Sequence, residues 1–203
     1  MNSVRYIALA AVSALTLGSA QAAYIVDTGE GSQPPAYSHY DDDAGAFQSL
    51  GATFSAAAAY TISSVEGWIS AVNNGNLIVE LIAGDSPGGS VLFSATFAAT
   101  PSSLGESFWQ GATGLNWSVA AGDYTLAFYA PAGFTGSMLS GAPNPLATEW
   151  FRNDATSGVW TQFDGLDIGI RIDASPSSVP EPGPLTLLGL GLAGLAAVRR
   201  RRH

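Results

Sequence analysis

Short apolar runs separated by turn-forming residues recur through residues 23–174, and they constrain the fold more than any other feature of the chain. Several runs alternate apolar and polar side chains with the two-residue period of a half-buried strand, as at Phe93, Ala95 and Phe97. No window combines a sustained 3.6-residue period with helix caps, so strands are predicted throughout. The predicted strands span residues 47–54, 60–72, 77–82, 91–97, 116–119, 124–129, 148–151, 160–163 and 168–172.

Three turn segments support this prediction. Residues 73–76 read Asn-Asn-Gly-Asn, which tolerates positive φ, and they are expected to close a hairpin. Residues 85–89 and 121–123 predict two further turns. Eight or nine short strands in one region predict an all-β domain, an antiparallel two-sheet β-sandwich that is jelly-roll-like. An N-terminal signal helix and a C-terminal hydrophobic helix are expected to flank it.

The charge of residues 23–174 is one-sided. The chain has no lysine and no cysteine, and Arg152 and Arg171 are the only arginines in this region. The same region contains fifteen carboxylates, which gives it a formal charge of −13. An acidic surface repels phosphate backbones, so nucleic acid is not expected as a partner. The absence of cysteine excludes disulfides and thiolate metal sites.

Residues 1–22 have the pattern of a secretory signal peptide. Arg5 provides a positive n-region, residues 7–17 form an apolar h-region, and Ala20 and Ala22 supply the small residues that signal peptidase accepts. We therefore expect signal peptidase to cleave after Ala22. An N-terminal membrane anchor is the alternative, but the apolar run is too short for one.

The C-terminus continues beyond the predicted β-domain of residues 23–174 in two parts. Residues 175–179 form a polar linker, and residues 180–203 form a segment with an apolar helix at 185–198 and an arginine-rich tail at 199–203. Guanidinium groups are costly to move across a bilayer, so the tail is expected on the cytoplasmic side. The apolar helix reaches only about 21 Å against a hydrocarbon core of about 30 Å, which suits a transient anchor.

This C-terminal arrangement resembles the PEP-CTERM family of protein-sorting signals. The residues that carry the resemblance are Pro180, Glu181 and Pro182, the apolar run 185–198, and Arg199, Arg200, Arg201 and Arg202. The resemblance implies that exosortase, a polytopic membrane enzyme, recognises the Pro-Glu-Pro segment, and that the arginines stop transfer through the membrane. It also implies a Gram-negative host that makes exopolysaccharide. The protein would pass through the inner membrane to the cell surface or the extracellular matrix.

No catalytic constellation is recognisable in residues 23–174, so the domain is expected not to be an enzyme and to carry no cofactor. The region has neither a Gly-x-Ser-x-Gly nor a His-Glu-x-x-His motif, and His39 is its only histidine. A glycosidase needs a specific carboxylate pair, and no pair is marked out among the fifteen acids. Clustered oxygens at Asp41, Asp42 and Asp43 make a candidate Ca²⁺ site, with a solvated acidic loop as the alternative.

Tryptophans are the candidates for ligand contact. Trp109, Trp150 and Trp160 lie near loops with amide or carboxylate neighbours, a combination that suits a sugar-binding face. Burial in the core is the alternative for each of them, because large aromatic side chains dominate sandwich interiors.

The function predicted from these features is that of an exported, non-catalytic protein of the cell surface or the exopolysaccharide matrix, sorted through its C-terminal signal. A secreted polysaccharide-active enzyme is one alternative, and it would need a cleft with two carboxylates about 5–10 Å apart. A protein that stays anchored in the inner membrane without processing is another.

Overall fold

The computed structural model describes residues 23–40, 48–102, 106–130, 134–153 and 158–177. These residues form twelve β-strands, and every pairing between the strands is antiparallel. No helix that could cross a membrane is found in this part of the chain. The predicted signal helix and C-terminal helix lie outside the described residues.

The strands divide equally between two sheets, named here sheet A and sheet B. Sheet A contains β1 (Ala23–Asp27), β2 (Gln33–Tyr40), β4 (Tyr60–Ala71), β7 (Phe108–Val119), β9 (Gly136–Ser140) and β12 (Ile170–Pro176). Sheet B contains β3 (Gln48–Ala56), β5 (Gly75–Ala83), β6 (Val91–Ala99), β8 (Gly122–Tyr129), β10 (Thr148–Asn153) and β11 (Trp160–Gln162).

The long strand β4 organises sheet A. It pairs with β7 along one side, and with β12 and β9 one after the other along the opposite side. Strand β1 pairs with β12, and β2 pairs with β9. Sheet B is a simple row in the order β11-β10-β3-β8-β5-β6. Most connections pass from one sheet to the other, so both sheets are needed to complete the domain.

The core lies between the sheets and is built from alternate residues of the strands. Ile62, Val65 and Ile69 of β4 have no exposed surface, and neither do Leu126 and Phe128 of β8 in the other sheet. Burying a side chain of this kind contributes about 1.5–3 kcal/mol to folding. The residues between them point to the outer face of each sheet, where ligand contact is feasible.

The predicted all-β fold with two antiparallel sheets is confirmed, and each of the nine predicted strands overlaps an observed one. The jelly-roll description stays a prediction. The structure adds β1, β2 and β9, and it extends β7 back to Phe108. Pro34 and Pro35 in β2 argue against a central strand, and β2 indeed lies at the end of sheet A, where proline is tolerated.

The hairpin predicted at residues 73–76 is wrong. The strands that flank it, β4 and β5, belong to different sheets, so this turn links the two layers. Two hydrogen bonds hold it there, from Val72 N–H to the Thr135 carbonyl at 2.8 Å and from Thr135 N–H to the side-chain Oδ1 of Asn73 at 2.8 Å. The turn at 85–89 does close a hairpin, between β5 and β6.

Candidate functional site

A cluster of aromatic side chains and one arginine lies on the outer face of sheet B. Because Arg152 of β10 stands directly opposite Trp160 of β11, and Trp150 lies two residues before Arg152, all three side chains share one face. Tyr129 of β8 completes the cluster. The four residues are each half-buried and are called here the sheet B platform.

The arginine binds the platform together. Its guanidinium carbon lies 5.1 Å from the centre of the Tyr129 ring and 5.1 Å from the centre of the Trp160 ring. Those two rings meet edge to face, 6.0 Å apart and at 78°. Cation–π and edge-to-face contacts of this kind each contribute about 0.5–1.5 kcal/mol, so the ring planes are held in place before any ligand binds.

Trp150 is held by a chain of hydrogen bonds across the sheet. Its indole N–H donates to Thr53 Oγ1 at 3.1 Å. The hydroxyl groups of Thr53 and Thr125 form a second hydrogen bond, also at 3.1 Å. Thr125 in turn donates to the carbonyl oxygen of Gly84, at 3.1 Å. With its polar atom satisfied, Trp150 presents its ring carbons rather than its N–H to an incoming ligand.

Polar side chains surround the aromatic rings. Gln162 is paired with Trp150 across β10 and β11 and is exposed. Glu80 of β5 lies on the same outer face and is half-buried. Ring faces rimmed by amides, hydroxyls and a carboxylate suit ligands that have both C–H surfaces and hydroxyl groups.

Trp109 lies on the other sheet. It belongs to β7, and its ring packs at 5.2 Å and 61° against Trp68 of β4. The guanidinium of Arg171 covers it at 3.9 Å, while Arg171 also lies 5.1 Å from the Tyr24 ring and pairs through Nε with Asp27 Oδ1 at 3.0 Å. The structure therefore separates Trp109 from Trp150 and Trp160, and one ligand cannot contact all three.

Both arginines of the β-domain thus stack on aromatic rings, one on each sheet. Arg152 and Arg171 are the only arginines between residues 23 and 174, and nothing in the local sequence pairs them with the tryptophans. The small number of arginines in this region is the sequence feature that could have pointed to these two positions. In a region with fifteen acids, an arginine whose guanidinium stacks on an aromatic ring indicates an ordered surface.

Glu149 is a buried acid with a structural role. It is 1% exposed, and its Oε2 and Oε1 accept the backbone N–H groups of Asp167 at 2.7 Å and Ile168 at 3.0 Å. Burial raises the pKa of Glu149 above its usual value, and the two hydrogen bonds partly oppose that shift. Because both oxygens are engaged by the backbone, this carboxylate holds the 163–169 connection against β10.

The described part of the chain contains no group of three or more His, Cys, Asp or Glu side chains placed to hold a metal ion. The candidate Ca²⁺ ligands Asp41, Asp42 and Asp43 lie outside the described residues, and their role stays a prediction. The same holds for Ala20 and Ala22 at the predicted signal peptidase site.

The two ends of the described domain lie side by side. Ala23 is paired with Ala174, and β12 continues through Pro176 beside Tyr60, so its last two residues come from the predicted linker. A pocket of about 350 Å³ at this end is lined by residues of both sheets, among them Ala23, Ala56 and Pro176. The chain beyond residue 177 therefore leaves the domain at this end.

The platform lies away from that end. Along β3, Gly51 stands beside Trp150 and Ser49 beside Arg152, five and seven residues from Ala56. At about 3.3 Å per residue these positions are about 17 and 23 Å from the pocket end. The platform is thus separated by this distance from the point where the C-terminal segment leaves the domain.

The C-terminal segment itself matches a known family. Residues 178–202 match the model of the PEP-CTERM protein-sorting motif, which confirms the recognition made from the sequence. Comparison of the chain with curated proteins gives no significant match. The motif implies an exported protein that exosortase, a membrane enzyme, sorts through a transient membrane-anchored state. The matched range includes Pro180–Pro182 and Arg199–Arg202, whose individual roles stay predictions.

Proposed function

We propose that this protein is a non-catalytic component of the cell surface or extracellular matrix whose sheet B platform contacts neutral polysaccharide. The observation that carries the proposal is the platform itself, a preorganised aromatic surface on an exported domain. Trp150 and Trp160 present half-buried rings, fixed by Thr53 and Arg152, beside the exposed amide of Gln162. Side chains ordered in advance lose little entropy on binding, which favours contact with a flexible polymer.

Charge narrows the class of polymer. Residues 23–174 carry a formal charge of −13, so a polyanionic polysaccharide would be repelled at long range. A neutral polymer can approach without that cost and can stack its C–H faces on the tryptophan rings. The single guanidinium of Arg152 is already shared between two rings and donates through Nη2 to Ser49 Oγ at 3.4 Å, so it is not available as a separate binding site for an anionic group.

The placement of the platform fits this role. The chain leaves the domain toward the sorting segment at the pocket end, and the platform lies about 17–23 Å from it. During membrane anchoring this separation would keep the platform apart from the point where the chain enters the bilayer. In the proposed sequence signal peptidase cleaves after Ala22, exosortase recognises Pro180, Glu181 and Pro182, and Arg199–Arg202 hold the tail at the cytoplasmic face.

The test of polysaccharide contact is affinity electrophoresis of the purified protein in gels that contain the host's own exopolysaccharide, cellulose derivatives or alginate. We expect retardation by neutral polymer and not by alginate. Trp160→Ala should weaken retardation at least about tenfold, the loss typical of a central aromatic contact. Phe163→Ala is the matched control. Phe163 is an exposed aromatic residue near the same edge of sheet B, but its ring packs on Phe151 and not on the platform.

Two results would contradict the proposal. Absence of retardation by any neutral polymer would remove the polysaccharide role. Equal weakening by Trp160→Ala and Phe163→Ala would remove the platform as the contact surface. The non-catalytic part is tested separately, because release of reducing sugar from the same polymers by the purified protein would establish an enzyme.

The sorting step has its own measurement, cell fractionation with intact mass spectrometry of the native protein. We expect a mature form that begins at Ala23, lacks residues 185–203 and is found outside the inner membrane. A form that retains Arg199–Arg202 in the inner membrane would show a permanent anchor instead.

A further inference from the structure

The free edge of sheet B is formed by β6, which pairs only with β5 among the described residues. Its nine residues, Val91–Ala99, include no charge and no proline. In an antiparallel edge strand alternate residues direct their N–H and C=O groups away from the sheet. Such a row of unpaired groups is a template for a further strand unless something blocks it.

The other edges of the sandwich carry such blocks. Strand β11 is three residues long, β2 contains two prolines, and the register of β1 shifts between Tyr24 and Val26. In β7, residues 114–116 loop out between the pairs formed by Thr113 and Trp117, with Gly114 at φ 68°. Short length, proline and bulges are the usual protections of edge strands. In β6 the register is irregular only at Leu92, and the stretch 93–99 is unbroken.

The charge distribution indicates what can approach this edge. Residues 86–105 contain no charged residue, although residues 23–174 as a whole carry −13. Two copies of so acidic a domain repel each other on most approaches, and strand β6 itself carries no carboxylate. Val91 and Leu92 add apolar surface there, with 52% and 45% of each residue exposed.

We propose that β6 pairs with β6 of a second copy of this chain, antiparallel and about a two-fold axis, to join the two sheets B into one continuous sheet. A register centred on Thr96 places Phe93 opposite Ala99 and Phe97 opposite Ala95 of the second copy. Large side chains then meet small ones on the inner face. Ser94 meets Ala98 on the outer face, and no charge is brought into the contact.

The acid on the neighbouring strand does not oppose the pairing. Glu80 lies one strand inward, opposite Ser94. In the paired sheets the two copies of Glu80 would be separated by three strand spacings, about 14 Å, and by four residues along the strands, about 13 Å, which makes about 19 Å in all. That distance exceeds the Debye length of about 8 Å at physiological ionic strength, so their repulsion is largely screened.

The contact between the two β6 strands is small, so the dimer is expected to be weak. A seven-residue ladder buries less than the roughly 800 Å² per partner of a standard stable interface. The dimer is therefore reversible and depends on concentration, so crowding at a membrane or in a matrix promotes it. This inference does not rest on the platform, which lies on the face of sheet B and not on its edge.

Cysteine cross-linking of the full-length protein in mild detergent tests the pairing, because the natural chain contains no cysteine. Directly opposed residues have Cα atoms about 4.5–5.5 Å apart, within the disulfide range of about 4.4–6.8 Å. Thr96→Cys should therefore form a disulfide-linked dimer at least about tenfold faster than Ser118→Cys. Ser118 is an exposed position of β7, the edge strand of sheet A, and serves as the matched control.

Light scattering of the same preparation provides a readout without a covalent bond. The unmodified protein should shift toward dimer as its concentration rises, and Thr96→Lys should shift it back toward monomer by placing a charge at the two-fold axis. Monomer at every concentration, or equal cross-linking rates for Thr96→Cys and Ser118→Cys, would overturn the proposal. Dimerisation that begins only after residues 178–203 are removed would assign the edge to the chain's own C-terminal segment and would overturn it too.

Discussion

Glu149 is expected to be among the most sensitive polar positions of the domain. Its two oxygens accept backbone N–H groups of Asp167 and Ile168, and Asp167 has a φ of 49°, a left-handed conformation that costs a non-glycine residue about 1 kcal/mol. Glu149→Ala leaves both N–H groups without a partner, at about 1–3 kcal/mol each. Relief of the buried charge offsets part of this loss, so we expect the free energy of unfolding to fall by about 2–4 kcal/mol.

Urea unfolding monitored by tryptophan fluorescence measures this change. A loss of about 3 kcal/mol corresponds to a fall in Tm of roughly 6–12 °C for a domain of this size. Glu80→Ala is the matched control, a strand glutamate that faces outward, and it should change the free energy of unfolding by less than about 0.5 kcal/mol. If the two variants lose stability equally, the carboxylate does not hold the 163–169 connection as argued.

The pH dependence follows from the direction of the shift. Burial raises the pKa of Glu149 in the folded state above the value of 4.5 expected for an exposed glutamate. The folded state then binds more protons than the unfolded state, and this contribution to stability is lost as the pH rises from about 4.5 through the raised pKa. Glu149→Gln cannot titrate. The stability advantage of the natural protein over this variant should therefore shrink between mildly acidic and neutral pH, and an advantage that grows would refute the assignment.

Two further substitutions, each with a comparison variant, test the packing. Thr28→Val removes a buried hydroxyl whose oxygen accepts the Ile170 N–H at 2.7 Å, so it should cost about 1–2 kcal/mol in urea unfolding, whereas Thr28→Ser should cost less because it keeps the bond. Gly111→Ala places a Cβ against the Val65 carbonyl oxygen and should lower the free energy of unfolding by about 1–3 kcal/mol. Gly114→Ala is the comparison, because φ is 68° there but no atom lies within 4 Å of the added Cβ, and it should cost only about 1 kcal/mol. A reversed order of the two glycine variants would contradict the close approach of β7 to β4.

The sorting segment could be recognised from the sequence because all of its features lie in one short continuous stretch of the chain. Its Pro-Glu-Pro, apolar run and arginine cluster are consecutive, and their physical properties do not depend on the rest of the chain. The strands were predictable for a related reason. Alternation of apolar and polar residues is a local pattern, and each predicted strand overlaps an observed one.

The assignment of strands to sheets was not predictable in this way. Asn73, Asn74 and Gly75 form a turn with the chemistry of a hairpin, yet β4 and β5 enter different sheets because their apolar faces pack against each other across the core. Strands such as β9 have little pattern of their own. They form because β4 and β2 offer hydrogen-bonding partners.

The sequence by itself determined that residues 23–174 form an acidic all-β domain and that a sorting motif follows it, because composition, alternation and short motifs are local properties. Only the tertiary structure decided that Trp150 and Trp160 share a face with Tyr129 and Arg152, while Trp109 lies on the other sheet. Those contacts depend on strand register, and a shift of one residue would turn each side chain to the opposite face. Register is set by the packing of the whole core, which no short segment of the chain contains.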